Sequence, residues 1–345
     1  MEVRKGTQTT TAVFENEAYS SDMEAGLVRA GFFAVAIKDP LTHQIFQYPE
    51  FALAPEWIRW VMPAHASAEA WIDALGSNHD RYKLRKKLRK AASQDCDVRI
   101  EIRALTANDY ALWHDTLYLP EIVNKPGGIR YWPKPSALSK KLTLMPSGEV
   151  SDFYRIFMYE NDGSLIGGSL WSLSPSESCL TIRAAAFEKK ARAKYELAIR
   201  GMEESRLFAL SRGLKWLSYG TDINFYGVDT TIGLQMFKAS IGMKPVLARI
   251  GSVQLIKILD RPLKQIHSAA TGHPPQPSVL IFAFGGSDMS KKLHAFQRLP
   301  PRKKRGDLDF LWNEDMGLVP LRFVVESRTV SINVPGGMIL QDIVL

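Results

Sequence analysis

Cysteine is nearly absent from this 345-residue chain: Cys96 and Cys179 stand far apart, in neither metal-binding nor redox spacing. That excludes a disulfide framework and fits a reducing compartment. No run of roughly 18 apolar residues occurs, so no membrane-spanning helix is expected. The N-terminal stretch MEVRKGTQTTTAVFENEAYSSD has no apolar stretch of the kind a secretory signal needs, and a cytoplasmic location is the expectation. The seven histidines fall in no metal-ligand spacing. Neither an H-E-x-x-H helix nor a G-x-S-x-G elbow is found, so neither a metal nor a covalent acyl-enzyme is expected. No short-period repeat is visible, which sets aside solenoids and propellers.

What is present is apolar and basic. Hydrophobic residues make up 46% of the chain, enough to fill the cores of two domains or one large one. The formal net charge is +8, which favours polyanionic partners: nucleic acid, a nucleotide or an anionic surface. The excess is clustered. Residues 81–90, RYKLRKKLRK, hold seven Arg or Lys in ten positions. Leu84 and Leu88, at i and i+4, give that helix an apolar stripe for docking, with the bases on its remaining faces. Lys83, Arg85, Lys86, Lys87, Arg89 and Lys90 would hold a long anion through salt-sensitive phosphate contacts. A solvated helix face without a ligand explains the same run. The second basic cluster, PRKKR at 301–305, is too short to decide between these.

Periodicity orders the elements. GFFAVAI is a strand, and HQIFQYPEFALA a second strand or pair of strands. SAEAWIDALG is helical with Ser67 as N-cap, and Gly76 separates it from the basic helix. CDVRIEIRAL alternates as a strand, and TANDYALWHDTLYLPEIV is a helix capped by Thr106 or Asn108. DFYRIFMYE, SLIGGSLWSL and SCLTIRAAAF are three strands, the first two joined by the hairpin turn NDG. A long helix, about 191–212, closes on Gly213 as its C′ residue. LKWLSYG is a strand, DTTIGLQMFKASIG a short helix, and KPVLARIGSVQLIKIL a strand or hairpin. The middle of the chain thus runs β, α, β, β, β, α, β, α, β. The expected class is α/β (α+β), a mixed, mostly antiparallel central sheet flanked by helices. The expected boundaries are an α/β segment at 1–76, a core at 77–266, a linker at 267–278 and a β-rich segment with a basic loop and terminal hairpin at 279–345.

This order, with RYKLRKKLRKA, GSLIGGSLWSL, AAAFEKKARAKYELAIRGMEESRLFALSRGLKWLSYG and GLQMFKASIGMKP placed along it, resembles the GNAT acyltransferase superfamily. More narrowly it resembles the Fem-type branch, which includes aminoacyl-tRNA-dependent peptidyltransferases. The resemblance spans residues 77–259. It implies an amide-forming acyltransferase with no tightly bound cofactor, whose donor is aminoacyl-tRNA or acyl-CoA and whose acceptor is a small-molecule or peptide amine. It leaves open whether residues 1–76 are a partial, degenerate second copy of the fold. One departure bears on the donor. Acetyl-CoA users of the superfamily carry a glycine-rich loop before the donor helix, and here EKKARAKYE holds no glycine. A pyrophosphate would have to rely on Lys189, Lys190, Arg192 and Lys194, which tilts the reading towards aminoacyl-tRNA. A non-enzymatic RNA-binding module on the same fold remains an alternative.

The candidate site gathers at YGTDINFYG, residues 219–227, after the strand LKWLS. Gly220 and Gly227 let the backbone turn sharply. Asp222 is the candidate proton acceptor for an attacking amine. Asn224 is a candidate substrate-binding residue and reads at least equally as a turn residue bonding its own backbone, and Tyr219 and Tyr226 read as acceptor-pocket walls or packing. Lys238, at the resemblance's FK position, would stabilise the carbonyl oxygen or a donor phosphate; a surface lysine is the plain alternative. Gly167 and Gly168, by the resemblance, would let a donor lie close to their strand, and an ordinary bulge is the alternative. Arg183, on a strand between apolar residues, faces the cleft or pairs with a structural acid.

Overall fold

The computed structural model describes residues 1–5, 10–15, 19–30, 32, 34–40, 44, 47–48, 51–125, 131–140, 142–145, 149–224, 232–248, 253–259, 278–284, 318–324 and 341–344. The chain divides into two compact units: a middle unit, Val61–Gly220, and a terminal unit formed by Met1–Trp60 with Thr221–Leu345. Among the described residues no helix is long and apolar enough to cross a membrane.

The middle unit is built on β6 (Val98–Thr106), β7 (Glu149–Glu160), β8 (Leu165–Ser174) and β9 (Cys179–Phe187). Each is antiparallel to the next. Gly163, at φ +87°, closes the β7–β8 turn that NDG predicts. Strand β10 (Trp216–Ile223) runs parallel to β9, with Trp216, Leu217 and Ser218 opposite Cys179, Leu180 and Thr181. A parallel neighbour needs a crossover, and the helices between β9 and β10 supply it.

Helix α4 (Ala107–Trp113) starts on a capping box: Thr106 Oγ1 accepts from the Asp109 N–H and the Asp109 carboxylate accepts from the Thr106 N–H. It continues as a π-helical stretch, His114–Val123, which contains Pro120. Leu105, Tyr110, Trp113, Leu117, Tyr118 and Trp132 from this region pack with Phe157, Leu170 and Ala186 of the sheet into one buried cluster. Helices α2 (Ala68–Asp73) and α3 (Asn78–Ala92) are capped by Ser67 and Ser77, whose side chains accept from the Ala70 and Asp80 N–H groups.

The single long helix expected over 191–212 is two helices, α5 (Lys189–Lys194) and α6 (Leu197–Ser211). Glu196 stands between them in the left-handed region at φ +53°. No glycine or proline marks the break; long donors stabilise it instead. Lys90 Nζ donates to Ala193 O at 2.8 Å and Arg200 Nε to Tyr195 O at 3.0 Å, satisfying carbonyls that the interrupted helix leaves open. Helix α6 ends as its glycine predicts, with Gly213 N bonded to Leu210 O and Leu214 N to Ala209 O.

The terminal unit holds a five-stranded sheet in the order β1 (Glu2–Lys5), β2 (Thr10–Glu15), β3 (Ala34–Lys38), β12 (Val253–Ile258), β4 (Ala52–Pro55). Strand β12 is antiparallel to both neighbours. Residues of β3 from Ala34 to Ile37 are fully buried, as befits a strand covered on both faces. Among the described residues of HQIFQYPEFALA the strand is confined to Ala52–Ala54, the start of β4; before it Tyr48 N bonds to Gln44 O as in a helical turn. The rings of Tyr48 and Phe51 are drawn onto Tyr19, at centroid distances of 5.3 and 5.5 Å. Beside this cluster, between α1 (Glu24–Arg29) and β12, Lys257 pairs with Glu24 at 2.8 Å.

KPVLARIGSVQLIKIL is not a hairpin: β11 (Lys244–Leu247) lies beside β5 (Trp57–Pro63), in a different sheet from β12. Before it comes α7 (Ile232–Ser240), ended by Gly242 at φ +84°. A third sheet joins β13 (Ser278–Phe284), β14 (Leu318–Val324) and β15 (Gln341–Val344). Strand β15 runs parallel to β14, a strand the sequence reading passed over. The linker expected at 267–278 falls outside the described residues except for Ser278, as do PRKKR and the first arm of the expected terminal hairpin.

Candidate active site

In the terminal unit the polar residues after β10's core meet α7. Lys238 sits on the inner face of α7 and is 2% exposed. Its Nζ donates to Asp222 Oδ2 at 2.6 Å, and it lies 6.0 Å from the centre of the Trp60 ring. Burial pushes the Lys238 ammonium below its ordinary range, and the Asp222 charge and hydrogen bond oppose that shift. The pair is asymmetric: the Lys238 side chain is 3% exposed and that of Asp222 11%. The carboxylate is therefore the less buried member of the pair. The helix end fixes the lysine's backbone, because Met243 N bonds to Lys238 O and Gly242 N to Ala239 O.

Asn224 is fully buried and its amide is spent on backbone. Its Nδ2 donates to Pro55 O and Phe282 O at 2.9 and 2.7 Å, and its Oδ1 accepts from Phe282 N at 2.9 Å. With Asn224 N bonded to Glu56 O, the residue is a staple between β13 and the β4–β5 junction. The turn reading of Asn224 anticipated backbone partners but not such distant ones, and no substrate contact is assigned to it. Tyr226 lies outside the described residues.

The remaining candidates lie in the middle unit. Tyr219 stacks edge-on against Trp171 at 6.0 Å, and burial raises its phenol above the ordinary range. Gly220 follows at φ +74°, a conformation that costs glycine little. Arg183 is exposed on β9 and its Nε donates to Ser172 Oγ at 2.7 Å. Gly167 and Gly168 pair with β7 on one side and β9 on the other. The space above each is filled by the chain itself. A Cβ on Gly168 would stand 2.6 Å from Trp113 Cδ1, and one on Gly167 3.0 Å from Phe187 and 3.2 Å from Leu197. Trp113 Nε1 donates to Gly168 O at 3.1 Å, so the indole is bolted over the glycine. These glycines admit side chains of the fold, and a donor's approach to the strand is not built on them.

At the start of α5 the Glu188 carboxylate caps the helix. It accepts from Ala191 N at 2.6 Å and Lys190 N at 3.2 Å. Those are the N–H groups that would otherwise attract an anion. Lys194 is drawn back to Glu160 at 3.6 Å and over the Tyr195 ring at 4.3 Å, whereas Lys189, Lys190 and Arg192 are exposed.

Helix α3 presents its bases unevenly. Leu84 is buried and Leu88 half-buried, so the apolar stripe docks as its spacing predicts. Arg81 donates to Leu75 O and Asp73 O, Arg85 pairs with Glu69 at 3.1 Å, and Lys90 holds the α5–α6 break. Lys83, Lys86, Lys87 and Arg89 are exposed and engage no acid among the described residues.

Three features escaped the sequence reading: the Glu188 cap, Trp60 beside Lys238, and a buried histidine, His114, on the π-helical stretch. Glutamate is not a favoured N-cap residue and a lone Trp carries no spacing, so only the proline inside the helical stretch TANDYALWHDTLYLPEIV offers a sign. Among the described residues no cluster of acids, histidines and cysteines could hold a metal.

No protein-family model and no curated protein sequence matches the chain. In fold it is similar to solved structures. One is FemX, at 12% identity and a TM-score of 0.42 over 75% of this chain and 83% of that one. Another is L-PGS from Bacillus licheniformis, at 9% identity and 0.39 over 74% and 78%. A third is a tandem GNAT protein from the clavulanic acid biosynthesis pathway, at 9% identity and 0.34 over 70% and 68%.

Proposed function

We propose that the chain is an acyltransferase that forms an amide, moving an aminoacyl group from aminoacyl-tRNA to an amine. The observation that carries the choice of donor is the Glu188 cap. Its carboxylate occupies the N–H groups at the start of α5 and sets a negative charge where a pyrophosphate would sit. A donor held over a longer track of phosphates suits α3 better, where four exposed bases meet no acid among the described residues. In the chemical step the amine nitrogen attacks the ester carbonyl carbon and the bond to the ribose oxygen breaks. The amine's proton passes to the Asp222 carboxylate, the less buried member of the pair, and onward to the departing oxygen. Lys238 acts through Asp222: it fixes the carboxylate's position and is a positioning residue.

A second reading, an acyl-CoA donor, is favoured by Lys189, Lys190 and Arg192, exposed around the same helix start. Titrating the purified protein with bulk aminoacylated tRNA and, separately, with acetyl-CoA at two salt concentrations decides between them. Salt-sensitive tRNA binding without acetyl-CoA binding supports the proposal. Acetyl-CoA binding without tRNA binding overturns it in favour of the second reading.

A further inference from the structure

Strand β6 ends the sheet of the middle unit: β7 pairs with one side of it, and among the described residues no strand pairs with the other. Along that outer side no further backbone hydrogen bond is made from Val98 to Leu105 among the described residues. The strand is nine residues long and holds neither lysine nor proline, the residues that commonly guard an edge. Its irregularity falls late, between Ala104 and Thr106. Such an edge is a template for another strand.

The side chains of β6 select the strand that fits. Arg99, Glu101 and Arg103 stand on one face, opposite Tyr159, Phe157 and Arg155 of β7, and Val98, Ile100 and Ile102 stand on the other. The Arg99 and Arg103 side chains are 60% and 61% exposed, and Ile100 and Ile102 are half-buried, so both rows keep surface that a neighbouring strand would cover. The charges alternate in sign, which makes the edge complementary to itself.

Two copies related by a two-fold axis pair antiparallel, and each residue meets the one equally far beyond the axis. An axis at Arg99, Glu101 or Arg103 sets that charge against its own counterpart, which is unfavourable. An axis at Val98 runs off the start of the strand, and one at Ile102 pairs Val98 and Arg99 with Thr106 and Leu105, across the irregularity. An axis at Ile100 uses the regular part alone. It sets Arg99 against Glu101 twice, Val98 against Ile102 twice and Ile100 against its counterpart, and it brings Arg103 towards Asp97, in the turn before the strand. The buried Arg155 holds Glu101 in place for that contact, donating to its Oε2 at 2.9 Å.

We propose that the chain pairs with a second copy of itself along β6, antiparallel about a two-fold axis at Ile100, so that two middle-unit sheets join edge to edge. The pairing is independent of the Asp222–Lys238 pair and of the donor.

Sedimentation velocity of the full chain over a roughly hundredfold range of micromolar concentrations is expected to show a monomer–dimer equilibrium. Arg99→Glu sets a like charge against Glu101 of the second copy twice over and is expected to weaken the dimer by more than about tenfold, with the far-UV circular dichroism of the parent. Disulfide trapping in a Cys96→Ser background reads the register. Residues directly opposite have Cα atoms about 4.5–5.5 Å apart, within disulfide reach, so Ile100→Cys is expected to give a covalent dimer under mild oxidation. Ile102→Cys is expected to give none, because its two copies stand four residues out of step, about 13 Å along the strands. A chain that stays monomeric throughout leaves the edge to some other occupant and overturns the proposal. A dimer that Arg99→Glu does not weaken, or that Ile102→Cys traps and Ile100→Cys does not, overturns it as well.

Discussion

Replacing Lys83, Lys86, Lys87 and Arg89 together with glutamine removes the unneutralised face of α3 and leaves its attachment intact. Leu84 stays buried, and Arg81, Arg85 and Lys90 keep their contacts with Leu75, Glu69 and Ala193. The consequence for a polyanion is calculable. Each phosphate neutralised contributes about −0.7 to −0.9 to the slope of log K against log salt. Four contacts give a slope of about −3, so raising salt from about 50 to about 200 mM weakens binding roughly fifty- to hundredfold in the parent protein. The variant is expected to bind aminoacylated tRNA more weakly at the lower salt and to show a slope shallower by about 3. Fluorescence anisotropy of labelled tRNA at four or five salt concentrations measures both quantities, and far-UV circular dichroism checks that the helix persists. A variant whose slope matches the parent's would refute the assignment of this face to the tRNA, whatever its affinity.

Three further expectations concern other parts of the molecule. Asp222→Asn keeps an oxygen for Lys238 but removes the proton acceptor, and transfer is expected to slow by about 10²–10⁴-fold; the thermal midpoint is expected to fall as well, because the buried Lys238 loses its counter-charge, and near-normal turnover of the folded variant in a single-turnover assay would take Asp222 out of the chemistry. Gly168→Ala drives a methyl to 2.6 Å from Trp113 and is expected to cost about 1–3 kcal/mol in urea denaturation, more than Gly167→Ala, whose neighbours begin at 3.0 Å. The third is a pH effect. The Glu101 carboxyl is held below its usual 4.5, chiefly by its hydrogen bond from the buried Arg155. Its folded pKa is lower than its unfolded one, so its stabilising contribution is complete above 4.5 and fades as pH falls through the folded value. Glu101→Gln should therefore melt below the parent at pH 7, with the difference closing under acid conditions. Asp109 adds to the same acid sensitivity, because hydrogen bonds from Thr106 and Arg103 and the charge of Arg155 outweigh the upward push of its burial.

The order of elements was legible because its markers are local. Alternation in β6, the NDG turn, Ser67 and Thr106 as caps, and Gly213 and Gly242 as helix ends all act within a few residues. What the sequence concealed depends on contacts between distant residues. The break at Glu196 is stabilised by Lys90 from another helix and by Arg200 a turn along. Tyr48 and Phe51 leave the extended state to reach Tyr19. In the candidate site the residue types were legible and their mutual engagement was not. Asp222 and Lys238 were picked separately, and their 2.6 Å contact recasts the lysine as support for the carboxylate. Asn224 was legible as a residue that bonds backbone, but not that its partners would be Pro55 and Phe282, remote in sequence.

Transfer of an aminoacyl group to an amine is tested most directly by following the acyl group itself. Bulk tRNA charged with radiolabelled amino acids is incubated with the protein and a mixture of primary amines, and the label is separated as free amino acid, charged tRNA and amide. Label is expected in an amide that forms with the parent protein and is lost with Asp222→Asn. Label that leaves tRNA only as free amino acid at the uncatalysed rate, while acetyl-CoA yields an acetylated amine, would contradict it.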